Sequence, residues 1–204
     1  MVQDKLQTKI ADRGEPVRQR VIDAGERLLR KGKADFSMRD LAAEAGVSFA
    51  TPFNHFGSKG AIMHALSERR TDAMAMRFAE ARLPGNAASR VMLAVDTAVA
   101  VMLEEPGVNR AVMSWIGTTG GEPGHAWTRS TALWTLALGA GEGIPENCRT
   151  RALDCLPRQL ALGFRGALSF WSAGELADDA LGPDARAVAA TLLLGFAEPS
   201  VSFI

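Results

Sequence analysis

Residues Phe36 to Lys59 read FSMRDLAAEAGVSFATPFNHFGSK, two short helical segments joined by a glycine, and no other stretch of the chain limits the fold so sharply. Ser37 and Asp40 stand three apart. At that spacing a serine hydroxyl accepts the N–H of the third helical residue, whose acidic side chain answers to the serine's own N–H. A helix is therefore expected from Met38. Leu41, Ala42 and Ala45 recur at helical spacing and leave Arg39, Asp40 and Glu44 to solvent. Gly46 ends that helix, because glycine accepts the left-handed conformation of a C-terminal cap. Val47 plugs the corner, and Ser48 is placed to cap a second helix running to about His55, with Phe53 and Phe56 expected to be buried. Pro52 falls in its first turn, where the lost N–H costs at most one intrahelical bond. Two helices of this length joined by a tight turn put the second in the major groove of DNA.

The run AGVSFATPFNHFGSKGAI resembles the AGVS-x-x-T-x-Y-x-H-F-x-S-K signature of the tetracycline-repressor (TetR) family of bacterial transcription regulators, and VIDAGERLLRKGKADFSMRDLA resembles the segment just before it. Val21 to Ile62 carries the resemblance, with glycine, cap, aromatic, His-aromatic and Ser-Lys all in register. Two positions depart, Pro52 in the first turn of the second helix and Phe53. Phe53 stands where the family has a tyrosine whose hydroxyl reaches a backbone phosphate, and phenylalanine keeps the packing but cannot donate that bond.

On the second helix Phe49, Ala50, Thr51, Asn54 and His55 are the outward candidates for DNA, with Ser48 and Arg39 beside them. Asn54 can make a paired contact with adenine, and the methyl groups of Thr51 or Ala50 can meet thymine methyls. For Phe49, surface packing is the alternative. Ser37, Ser58 and Lys59 lie at helix starts, where N–H groups and the helix dipole favour phosphate. The resemblance implies Thr51 and His55 as backbone contacts. This helix carries no arginine or lysine, so few ionic contacts and a shallow salt dependence are expected.

Net charge over the 204 residues is zero, which argues against a generally sticky nucleic-acid binder, but its distribution is uneven. Residues 1–60 hold eleven Lys and Arg against eight Asp and Glu, the remainder twelve against fifteen, and all five lysines lie at or before Lys59. The front end is the part that phosphate would attract. Met1 to Arg20 is charged and polar, unlike a secretory signal, and no uncharged apolar run approaches a membrane span, so a soluble cytoplasmic protein with no membrane partner is expected. Cys148 and Cys155 are in no metal or redox spacing and share a helix face; buried structural thiols and an oxidation sensor are the two readings.

Beyond the motif the chain reads as helix after helix, with no strand pattern or repeat. Pro16 suits a first helical position, and Val17, Val21, Ala24 and Leu28 form the inward face of the helix it starts. Further helices are expected over Lys59 to about Arg82, Ala87–Glu105, Asn109–Gly117, His125–Ala140, Cys148–Ala173 and Pro183–Ala197, completing nine, with a glycine-rich loop at Thr118–Gly124. The expected architecture is all-α: residues 1–15 a flexible arm, 16–60 a three-helix helix-turn-helix domain, and 61–204 a larger helical domain for effector binding and dimerisation. Lys5, Lys9 and Arg13 can make the arm a phosphate or minor-groove contact; a disordered terminus is the alternative.

The last two helices are apolar most of the way round, which needs cover on more than one side. Leu160, Gly163, Phe164, Leu168 and Trp171 on one, with Val188, Leu192 and Phe196 on the other, are the candidate dimer interface; filling a monomer core is the alternative. The resemblance implies that these helices form a four-helix dimer interface, and a two-fold dimer implies an inverted-repeat operator in double-stranded DNA.

In Ala87–Glu105, a wheel of about 100° per residue puts Arg90, Ala94, Thr97, Val101 and Glu104 on a polar stripe. Asp96 then projects roughly 130° away, among Met92, Leu93, Val99, Ala100 and Leu103. A carboxylate on an apolar face is either a polar anchor in an effector pocket, or one half of an internal ion pair or a helix-cap contact. Trp115, Trp127 and Trp134, with Met92, Met102 and Met113, can wall such a pocket or simply fill the core. A largely hydrophobic small-molecule effector is expected.

No catalysis, cofactor or metal is expected. His55, His64 and His125 lack metal spacing, no G-x-S-x-G elbow occurs, and the GAGEG run at Gly139 follows a helix rather than a strand. These observations point to a dimeric DNA-binding regulator, with the resemblance implying a repressor released by its effector. The rival is a helical protein-binding adaptor that keeps the helix-turn-helix as scaffold.

Overall fold

Apolar residues recurring three and four apart, interrupted by glycine, proline and serine, fold into helices whose buried stripes meet in two clusters. The computed structural model describes residues 2–82, 85–116 and 125–196, with side chains from Glu15 onward except those of residues 125 and 126. These residues are all-α and form nine helices: α1 (Val2–Arg30), α2 (Met38–Ala45), α3 (Ala50–Phe56), α4 (Lys59–Glu80), α5 (Ala87–Glu104), α6 (Pro106–Trp115), α7 (His125–Leu138), α8 (Glu146–Ala173) and α9 (Asp178–Leu194).

The smaller cluster holds Val21, Ala24 and Leu28 of α1, Phe36, Leu41 and Ala45 around α2, Ile62, Met63 and Leu66 of α4, and Val108 and Val112 of α6. Burying each Val, Leu, Ile, Phe or Met among them contributes about 1.5–3 kcal/mol. Gly25 lets α1 approach closely, since a Cβ there would lie 3.3 Å from Ile62 Cγ2 and 3.7 Å from Leu41 Cδ1. The larger cluster begins at Met74 and Phe78 and continues through α5, α7, α8 and α9. One helix, α4, therefore belongs to both clusters, and α6 touches α1, α4 and α8.

Two helices start earlier than the prolines suggest. The backbone of α1 is helical from Val2, with Pro16 inside it, and α9 starts at Asp178, ahead of Pro183. Leu181, fully buried, anchors the first turns of α9 and offsets the bond that Pro183 removes. The arm's side chains up to residue 14 and the Thr118–Gly124 loop lie outside the described residues. The α5 stripe is corrected: Arg90, Ala94 and Val101 are buried, and Asp96 is exposed. Arg90 turns inward because its guanidinium donates to Ala137 O (2.9 Å) and Leu138 O (2.8 Å), capping the C-terminal end of α7, and pairs with Glu142.

Candidate functional site

The capping arithmetic of α2 is realised. Ser37 is extended (φ −89°, ψ 166°) and its Oγ accepts from Asp40 N at 3.2 Å, while Ser37 N donates to Asp40 Oδ2 at 2.9 Å. Those bonds from Ser37 hold the Asp40 carboxyl below its ordinary range. Gly46 closes the helix at φ 63°, its N–H reaching Ala42 O and Ala43 O.

The next helix is started differently from the expectation. Phe49, in αR conformation, is the N-cap of α3 and makes no side-chain cap; Ser48 Oγ instead meets Thr51 Oγ1 at 2.8 Å, and Thr51 N bonds to Ser48 O. Phe53 is likewise corrected. It is 41% exposed, because Pro52 takes the buried position and only Phe56 packs, partly, on the core. Phe49 and Phe53 form an exposed edge-to-face pair 5.3 Å apart, with the Arg39 guanidinium 5.7 Å from the Phe49 ring. Ala50, Asn54 and His55 are exposed beside them, and Thr51 is half-buried.

Ser58 caps α4, its Oγ accepting from Ala61 N at 3.2 Å. Lys59 is turned into the protein: Nζ donates to Ala34 O at 2.7 Å and lies 4.4 Å from the Phe36 ring centre and 5.0 Å from that of Trp115. Burial lowers its pKa. Neighbouring cations are also engaged, Arg27 and Lys31 both pairing with Glu44. Two cations flank the α3 surface, exposed Arg39 over the Phe49 ring and half-buried Arg18 5.0 Å from the Phe56 ring.

Residues 21–66 match the family model of bacterial regulatory proteins, tetR family. The chain carries a TetR-family helix-turn-helix domain. No curated protein sequence matches the chain. Among solved structures, a TetR transcriptional regulator from Rhodococcus sp. RHA1 superposes with a TM-score of 0.72 at 20% identity, covering 90% of this chain and 98% of that one. A TetR-like transcriptional regulator from the same organism gives 0.52 at 18% identity, covering 88% and 96%. At such identities the likeness is one of fold, and it extends through the larger helical domain. The matched domain and the shared fold support a DNA-binding transcription regulator.

Within the larger domain a cavity of about 250 Å³ opens between α4, α5, α6, α7 and α8 of this TetR-like fold. Met102, Met113, Trp127 and Trp134 line it. Trp134 is fully buried and meets Phe164 edge-to-face at 5.6 Å. The other three pocket candidates lie elsewhere. Asp96 pairs with Arg186 at 2.6 Å beside Met92 in a shallow surface depression, an ion pair that is exposed rather than internal. Trp115 packs on the smaller cluster and on Lys59.

Sequence reasoning missed the contributions of α4 and α8, namely His64, Ser67, Thr71 and Met74 on one side and Leu168 and Arg165 on the other. Arg165 had left a signal, since it is the one charged residue between Arg158 and Glu175.

The dimer candidates divide as well. Leu160, Phe164, Leu168 and Trp171 are buried in the protomer's own core, and Trp171 Nε1 donates to Asp178 at 2.8 Å. Leu192 and Phe196 pack partly on that core, and Gly163 faces Val188 of α9. What α8 and α9 expose is Leu162, Phe170, Val188 and Leu194. Cys148 is buried and Cys155 half-buried, where burial raises its thiol pKa. Among the described residues no cluster of three or more His, Cys, Asp or Glu is placed to hold a metal, and no helix is long and apolar enough to cross a membrane.

Proposed function

We propose that the protein is a cytoplasmic, non-catalytic transcriptional repressor that binds an inverted-repeat operator as a homodimer and releases it when a small molecule enters the cavity. The observation that carries this reading is α3, whose Phe49, Ala50, Asn54 and His55 stand exposed together behind a capped α2. In such a motif the N-terminal part of the second helix meets base edges while the first helix crosses the backbone. Asn54 suits adenine, Ala50 and Thr51 suit thymine methyls, and Ser37, Arg39, Ser48, His55, Ser58 and Lys59 would hold the backbone, Lys59 through its N–H at the start of α4.

Exposed Leu162, Phe170, Val188 and Leu194 supply an apolar surface for a second copy. A two-fold pair would present its α3 helices about 34 Å apart or a multiple of that. The cavity walled by Trp127, Trp134, Met102 and Met113 is the effector site, and release requires the effector to prefer the conformation that does not bind DNA.

Selection of bound duplexes from a random DNA library tests the reading. Enrichment of an inverted repeat, bound two protomers to one site and weakened by Asn54→Ala, is expected. Recovery of no sequence, with feeble salt-sensitive binding only, would remove the regulator and favour a protein-binding adaptor.

A further inference from the structure

Resting on the effector reading, we infer that the cavity takes a small organic acid with a flat or short apolar body, its carboxylate held by Arg165. The cavity walls are mainly apolar, and three arginines reach them: Arg70, Arg129 and Arg165. Two of these already have carboxylates, Arg70 pairing with Glu26 and Arg129 with Asp72 at 2.5 Å. Arg165 differs. Among the described residues it forms no ion pair, and its guanidinium donates instead to Ile116 O and, at 3.8 Å, to Met113 Sδ.

Those two contacts leave most of its five N–H donors for other partners. Burial depresses its pKa, with no neighbouring carboxylate to oppose the shift. A planar guanidinium among mainly apolar walls is matched best by a carboxylate, which takes two parallel N–H bonds. Glu68 also reaches the cavity but is already engaged, so the anion-seeking group there is Arg165. At about 250 Å³ the space sits just below the range for drug-sized ligands, which favours a compact acid over a long acyl chain.

The test is calorimetric titration of the full chain with three probes of one shape: 2-naphthoate, 2-naphthamide and 2-naphthylmethylamine. The acid is expected to bind at least about tenfold more tightly than the amide, as a charge-assisted contact would give. Arg165→Met should abolish that preference and leave amide affinity within about twofold. Arg165→Lys, which keeps the charge without the fork, should retain part of the preference and covers the case in which Arg165→Met fails to fold. Equal affinities for acid and amide, or a preference that survives loss of the guanidinium, would overturn the acid assignment while leaving the cavity a ligand site. Tighter binding of the amine would overturn it in favour of Glu68. Binding of none of the three would overturn the effector-cavity reading together with this inference.

Discussion

Glu26→Gln tests how the helix-turn-helix is joined to the cavity domain. Glu26 is only 6% exposed, yet three arginines converge on it: Arg69 at 2.7 Å, Arg30 at 3.4 Å and Arg70. Arg70 Nε continues to Asn109 Oδ1 at 2.7 Å, and Asn109, fully buried, donates to Met102 O (2.9 Å) and Val101 O (3.2 Å). One carboxylate thus ties α1 to α4, α5 and α6. The glutamine is isosteric, so no cavity opens; the loss is the charge and one acceptor, with an amide N–H now facing a guanidinium. Breaking a buried pair typically costs about 3–5 kcal/mol. Here Arg69 keeps Asp23 at 2.7 Å and Arg70 keeps Asn109, so about 2 kcal/mol is the better figure. For a chain of this size that lowers Tm by roughly 4–8 °C. Circular dichroism melting at neutral pH measures it, with Asp23→Asn as the control. That exposed pair should cost under about 1 kcal/mol and fade with added salt, whereas the Glu26 effect should persist. A Glu26→Gln protein melting within about 2 °C of the parent would refute the argument that this carboxylate holds the two parts together.

Asn54→Ala should weaken binding to the selected operator by about 1–3 kcal/mol in fluorescence anisotropy while leaving random DNA unaffected; equal losses on both would make Asn54 a backbone contact. Gly163→Ala would set a Cβ 2.5 Å from Val188 Cγ1, so chemical denaturation should show a loss of about 1–3 kcal/mol, part of it recovered by adding Val188→Ala. Phe170→Glu, on an exposed apolar face of α8, should convert a dimer to monomer in sedimentation without lowering helix content; a dimer that survives would move the interface elsewhere. Lys31, Arg30 and Arg110 hold the carboxyls of Glu44, Glu105 and Asp178 below their ordinary values. The unfolded chain therefore takes up protons first as the pH falls. Tm should decline once the pH passes below about 4.3, and a flat profile there would dismiss these pairs.

What the sequence made legible was local. The start of α2 depends on Ser37 and Asp40 alone, and its end on Gly46, so both could be read from spacing. The start of α3 could not, because Ser48 had a nearer partner in Thr51 than the helix N–H groups. Phe53 was misplaced since Pro52, small and rigid, takes the inward position that hydrophobicity assigns to the aromatic ring. The α5 stripe failed for a tertiary reason: Arg90 looks solvent-bound on a wheel, but the α7 carbonyls that draw it inward lie 47 and 48 residues away. Only a minor part of the cavity wall was readable, Trp127, Trp134, Met102 and Met113, because large apolar side chains advertise themselves. Asp96 was read as its polar group and Arg165 was missed, although both interrupt apolar runs, and only the packing of α9 and α6 separates their roles.

Lys59 illustrates how the two parts meet. Its side chain lies between Phe36, at the threshold of α2, and Trp115, the last residue of α6. The next residue, Ile116, gives its carbonyl to Arg165, and Met113 of the same turn lines the cavity. An apolar helix end fixed on one side by a lysine of the helix-turn-helix and on the other by a cavity arginine has few positions it can occupy without breaking one of the two contacts. A carboxylate that drew the Arg165 guanidinium toward the cavity would loosen its bond to Ile116 O. Coupling between the sites then needs no long chain of contacts, because a single turn of α6 touches both.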